Sequence, residues 1–207
     1  MVYTVAQQKG GAGKTMLAAN LAAALATRRR VALVDIDPQR SLTRWYAIRK
    51  ARARPAAALT CSDLSGWRLS AELDRLRRDH DVVLLDSPPQ IDTEAKLAVR
   101  GADLVLVPVQ PSPPDFWAAE ATLKLAQSER RPARIVFNRV PAASRLRDAM
   151  LAEIAERKLA SFPTALGNRT AYPQAFAEGL GVTESAPRSV AAAELLALLQ
   201  EIEGITP

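Results

Sequence analysis

One cysteine and one histidine occur among 207 residues, and each scarcity removes a class of chemistry. A lone Cys61 forms no internal disulfide and supplies no Cys-x-x-Cys metal or redox centre, which fits a reducing compartment. The lone His80 sits between Asp79 and Asp81 without an evident acid–base partner, and reads as a boundary residue with no catalytic part. No apolar run is long enough to cross a bilayer, and no basic-then-apolar leader precedes the apolar start Val2 to Ala6. The last helix, expected from Ser189 to about Gly204, carries Glu194, Glu201 and Glu203 but no Lys or Arg, so it lacks the basic face of a membrane-targeting helix. A cytoplasmic protein with no membrane partner is expected.

What the chain does have is basic charge. Twenty-eight Lys and Arg against 22 Asp and Glu leave a net charge of +6, and a pI near 9.9. Such a field favours a polyanionic partner but also suits a merely soluble basic protein. The length suffices for one domain with a full core, so residues 1–207 are read as a single unit.

Short apolar runs alternate with longer amphipathic stretches, the pattern of repeated β-α units around a parallel sheet. Strands are expected near 2–6, 31–35, 58–61, 81–86, 103–109 and 133–138. Helices are expected to begin at Ser41, Asp92 and Ser144, residue types that accept hydrogen bonds from a first helical turn. The predicted fold is α/β, a three-layer sandwich with a mostly parallel sheet flanked by helices. Trp45, Trp67 and Trp117 fall on these helices and are expected to pack internally.

One segment carries chemistry directly. Lys9-Gly10-Gly11-Ala12-Gly13-Lys14-Thr15 follows the first strand and opens an alanine-rich helix. Glycines let successive backbone N–H groups converge on an anion, and the helix N-terminus adds positive charge. Lys14 is positioned to reach terminal phosphates and Thr15 to hold Mg²⁺. Gln8 stands where the common G-x-x-x-x-G-K-[ST] loop has its first glycine, and Lys9 is an additional cation.

This loop resembles the deviant Walker A loop of the ParA/MinD ATPases. Val31 to Gln39, with Asp35 and Asp37, resembles the family's second strand and switch I. Asp81 to Pro89, with Asp86, resembles its Walker B strand and switch II, and Ala102 to Pro113 resembles the ParA branch in particular. The resemblance spans the chain to about residue 140 and implies the small ParA type, without an N-terminal DNA-binding extension.

By that resemblance, ATP or ADP and Mg²⁺ are the cofactors. Gly10, Gly11, Ala12, Gly13, Lys14, Thr15 and Met16 would cradle the phosphates. Thr15, Asp35 and Asp86 would serve the metal, and Asp37 would orient the attacking water. Lys9 would reach the partner's nucleotide in an ATP-sandwich homodimer, which makes hydrolysis a two-subunit reaction. Asn138, at a strand end, is a candidate amide for adenine, beside the plain reading of a turn residue. The dimer would bind DNA non-specifically and associate with the nucleoid, through Arg145, Arg147, Arg157, Arg169 or Arg188. Arg169 is foremost because its polar turn offers no local partner. A ParB-like or other cargo-adaptor protein would stimulate hydrolysis, so that a plasmid, chromosome locus or protein cargo is partitioned or positioned. Two other readings stay open: a metabolic P-loop ligase-type ATPase, and an ATP-binding DNA scaffold with negligible hydrolysis.

Overall fold

The computed structural model describes residues 1–52, 57–64, 68–90, 93–143 and 145–205. Its strands are β1 (Val2–Val5), β2 (Val31–Asp35), β3 (Thr60–Asp63), β4 (Val82–Asp86), β5 (Leu104–Val109) and β6 (Ala133–Phe137). They form one sheet in the order β3-β2-β4-β1-β5-β6, and every pairing is parallel. The helices are α1 (Lys14–Leu25), α2 (Ser41–Lys50), α3 (Leu69–Asp79), α4 (Thr93–Arg100) and α5 (Pro113–Ser128), followed by α6 (Arg145–Glu156), α7 (Ala171–Ala177), α8 (Val182–Ser185) and α9 (Val190–Ile205).

Alternate strand residues point to opposite faces, and here both faces are covered. Tyr3, Val5, Leu33, Leu84 and Leu106 pack beneath α1, α2 and α9. Val34, Val83 and Leu85 meet α3 and α4 on the other face, where Val107, Ile135 and Phe137 meet α5 and α6. That is the expected three-layer sandwich. Alanines make α1 narrow enough to lie close on the sheet, and nearly its whole circumference is buried.

Three local expectations need correction. The third strand runs over Thr60–Asp63, not 58–61, because its place is set by pairing with β2 from Ala32 opposite Thr60 to Asp35 opposite Asp63. It is a half-exposed edge strand, so no run of apolar side chains marks its ends. Ser41 opens α2 but does not cap it. The residue before it, Arg40, is left-handed at φ 55°, and the Asp35 carboxylate accepts from Thr43 N and Thr43 Oγ1, both at 2.8 Å. Trp117 is 63% exposed instead of packed, while Trp45 is fully buried and lies 6.2 Å from the Phe176 ring. Asp92, Ser144 and Trp67 lie outside the described residues. No helix among the described residues is long and apolar enough to cross a membrane.

The chain leaves β1 toward β2 and β3, returns to β4, then crosses to β5 and β6. Strand order therefore reverses around β1, and in open parallel sheets ligands bind beyond the strand C-termini at such a point. The Lys9–Thr15 segment leaves β1 there.

Candidate functional site

Gly13 is the N-cap of α1, with φ 97° and ψ 23°. A Cβ at this position would lie 2.2 Å from Asn138 Nδ2, so both backbone conformation and space demand glycine. The loop is tied down from the far side of the sheet. Asn138 Nδ2 donates to Ala12 O at 3.0 Å, while Gln110 Nε2 and Arg139 Nη1 donate to Gly11 O at 3.1 and 3.3 Å. Lys14 is buried, and its ammonium donates to Gln7 O at 3.0 Å across the loop. Burial draws its pKa down, against the pull of Asp86 and Asp37. A buried cation and the free amides of a helix N-terminus together make an anion cradle.

Asp86 ends β4 opposite both Val5 and Asp35 in the sheet register. Its Oδ2 accepts from Thr15 Oγ1 at 2.6 Å, while its Oδ1 is buried with no hydrogen-bond partner. Burial pushes this carboxyl up to about 7; the Thr15 hydrogen bond opposes the rise, and the nearby charge of Asp35 adds to it. An orphaned carboxylate oxygen beside a hydroxyl at the head of a phosphate cradle fits Mg²⁺, which takes one or two protein oxygens together with phosphates.

Asp35 is placed differently from Asp86. Its Oδ1 accepts from Asp37 N at 3.1 Å and its Oδ2 serves Thr43, so in this structure the carboxylate braces the loop that carries Asp37. Asp37 lines the phosphate cavity. Its Oδ1 accepts from Gln39 N at 2.9 Å, and its Oδ2 has no donor among the described residues.

Two cavities meet here. One of 260 Å³ holds Gly10, Gly11, Gly13, Lys14, Thr15 and Asp37 on its walls. The second, of 430 Å³, is bounded by Asn138, Asn168, Thr170, Tyr172 and Pro173. Met16 and Arg139 line both. Asn138 does reach the second cavity, but its amide group is already engaged: Nδ2 with Ala12 O and Oδ1 with Arg139 N. Its first task in this structure is to hold the loop.

Lys9 is half-exposed and pairs with the buried carboxylate of Asp115 in its own chain. Of the arginines, Arg145, Arg147 and Arg169 gather around one 520 Å³ cavity. The expectation that Arg169 lacks a local partner is corrected: its Nη2 donates to Glu194 Oε1 at 2.6 Å. Arg157 is held by Glu120 at 2.6 Å and Glu153 at 2.5 Å, and Arg188 is exposed.

Asp115, Gln110, Arg139 and the 167–173 segment join the site without having been expected there. Asp115 had a legible signal. Ser112-Pro113-Pro114-Asp115 is a helix start with a capping serine, prolines at the first positions and an acid in the first turn. The other three are brought in by tertiary contacts that no local pattern encodes.

Comparison with known proteins agrees with this geometry. A family model described as the CobQ/CobB/MinD/ParA nucleotide binding domain matches residues 3–182. The maintenance of carboxysome distribution protein A of Halothiobacillus neapolitanus is 32% identical over 206 residues, covering 96% of this chain and 94% of that protein. The protein of the same name from Gloeobacter kilaueensis is 35% identical over 194 residues, covering 88% and 84%. Among solved structures, the apo McdA of Cyanothece superposes with TM-score 0.80 at 21% identity over 97% of this chain and 98% of its own. The cell-division ATPase MinD of Pyrococcus furiosus gives TM-score 0.80 at 18% identity, covering 99% of each chain. Those two structural likenesses carry the fold alone. The sequence matches carry more: this chain belongs to the CobQ/CobB/MinD/ParA family of nucleotide-binding proteins.

Proposed function

We propose that the protein is a Mg²⁺-dependent ATPase of the ParA kind that cycles between a monomer and an ATP-sandwich homodimer, binds DNA as the dimer and positions a cargo. The observation that carries this reading is the meeting of Lys14, Thr15 and Asp37 on one phosphate-sized cavity, with the buried Asp86 bonded to Thr15 behind it and a second cavity sharing the Met16 and Arg139 walls. When bound, Mg²⁺ supplies charge neutralisation on the phosphate oxygens. The chain's own residues do the rest. The α1 amides and Lys14 bind and orient phosphate, Thr15 and Asp86 offer oxygens to the metal, and the free Asp37 oxygen holds a water in line.

Lys9 completes the site in trans once it exchanges Asp115 for the nucleotide of a second subunit. Arg145, Arg147 and Arg169 offer neighbouring cations to a DNA backbone, a sequence-independent kind of contact. The carboxysome distribution relatives support a protein assembly as cargo over a small metabolite, with an adaptor protein as partner. A cytoplasmic, nucleoid-associated protein follows from this cycle.

DNA co-sedimentation of wild type and Lys9→Ala, with no nucleotide, ADP or ATP at low and moderate salt, tests the cycle. Salt-sensitive binding only with ATP, lost in the variant, is expected. Binding indifferent to nucleotide would refute the switch, and binding by neither protein would favour the metabolic ATPase.

A further inference from the structure

A groove of 560 Å³ lies between the second half of α5 and the segment that follows α6. It opens beside Ala133, the first residue of β6. The strands are parallel, so this is the sheet edge opposite the phosphate loop. Leu123, Ala133 and Leu159 give the groove an apolar floor, and all three remain partly accessible. Around them stand Lys124, Arg131, Arg157 and Lys158, with Glu120 as the acidic member of the wall. Glu120 is taken by Arg157 at 2.6 Å. Lys124 and Lys158 are exposed and form no ion pair among the described residues. Arg131 is half-buried on the same wall and forms no ion pair among the described residues. Three cations without carboxylate partners around an apolar floor suit carboxylates on the occupant, since charge-assisted hydrogen bonds are the stronger kind.

We propose that this groove docks an acidic amphipathic segment of a partner protein. Its apolar side chains would cover Leu123 and Leu159 while its carboxylates meet Lys124, Arg131 and Lys158. A nucleic acid backbone would satisfy the cations but leave the apolar floor uncovered, whereas an amphipathic helix presents both chemistries at one spacing. The groove is remote from the phosphate cavity, so a segment bound there tethers cargo without entering the hydrolysis site. The proposal goes beyond the ATPase cycle and stands or falls separately from it.

The test is to pan a phage-displayed random peptide library on the wild-type protein, with the Lys124→Glu/Lys158→Glu double variant as counter-target. A synthetic copy of the enriched peptide is then measured by fluorescence anisotropy at low and moderate salt. Expected are peptides combining Asp or Glu with Leu, Ile or Phe, bound more weakly at higher salt. Their affinity should fall at least about tenfold in the double variant and in Leu123→Glu, with ATP binding unchanged in both. Failure to enrich, peptides without acidic-apolar character, or equal binding to the double variant would each overturn the proposal. Loss of DNA co-sedimentation in the double variant without peptide enrichment would overturn it too, by assigning the groove to DNA. Failure of the ATPase cycle would show instead in the nucleotide dependence of wild-type DNA binding, which the peptide measurement does not read.

Discussion

Lys9 donates its ammonium to the Asp115 carboxylate of its own chain, pairing a 40% exposed side chain with a 2% exposed one. The same carboxylate oxygen accepts from Ser112 Oγ at 2.6 Å, so the start of α5 and the phosphate loop are joined through one acid. In the proposed ATP-sandwich dimer, a lysine that reaches the second subunit therefore has a competing partner at home. With Lys9 half in solvent, that competition is worth about 1 kcal/mol.

Asp115→Asn should accordingly favour the dimer. Sedimentation with ATP is expected to show half-dimerisation at roughly thirtyfold lower protein concentration, because each of the two subunits is relieved of its own competition of about 1 kcal/mol. A higher concentration requirement would mean that Asp115 supports the dimer-competent loop instead of restraining it.

The loop glycines are not equivalent. An added Cβ at Gly10 meets no atom within 4 Å, whereas at Gly13 it meets Asn138 in a left-handed backbone conformation. Gly13→Ala should lose about tenfold or more in affinity for a fluorescent ADP analogue relative to Gly10→Ala, since strain of this kind costs on the order of 1–3 kcal/mol. Equal affinities would contradict the steric account.

Much of this was legible in the chain. The loop, the strand-end acids Asp37 and Asp86, and the parallel sheet each announce themselves through local pattern, because glycine spacing and buried apolar runs are local consequences of phosphate binding and double-sided burial. Asp35 shows where that legibility stops. The family resemblance gives it a supporting place in the metal shell, and no local pattern shows that the fold also engages both its oxygens with Asp37 and Thr43. Nor could spacing reveal that Glu194, on α9, holds Arg169, since the two meet only once α9 packs on the sheet. Edge strand β3 was expected two residues too early for a different reason: half-exposed, it has little apolar pattern to fix its ends.

Arg49 and Glu184 form a buried two-pronged ion pair, with both N–O distances 2.7 Å. Arg49 also donates to Gly179 O and Ala57 O and lies 5.4 Å over the Trp45 ring. This knot fastens α2, the helix after Asp37, to α8. Glu184→Ala strands a buried guanidinium and should destabilise the fold by about 3 kcal/mol in urea titrations. A loss below about 1 kcal/mol would show that water replaces the carboxylate.

Cys61 offers a probe of the β2–β3 edge that needs no substitution. Burial first, then the neighbouring charges of Asp35 and Asp63, push its thiol up to about 12 from an ordinary 9.0. Deprotonation next to two carboxylates is opposed at any neutral pH, and the thiolate is the reacting species. A rise of that size lowers the thiolate fraction at pH 8 roughly a thousandfold. Iodoacetamide should thus label the native protein far more slowly than the denatured chain, with the rate still climbing at pH 10. Native labelling as fast as that of the unfolded chain would mean that β3 leaves the sheet readily, exposing Cys61 and loosening the Asp35 brace behind Asp37.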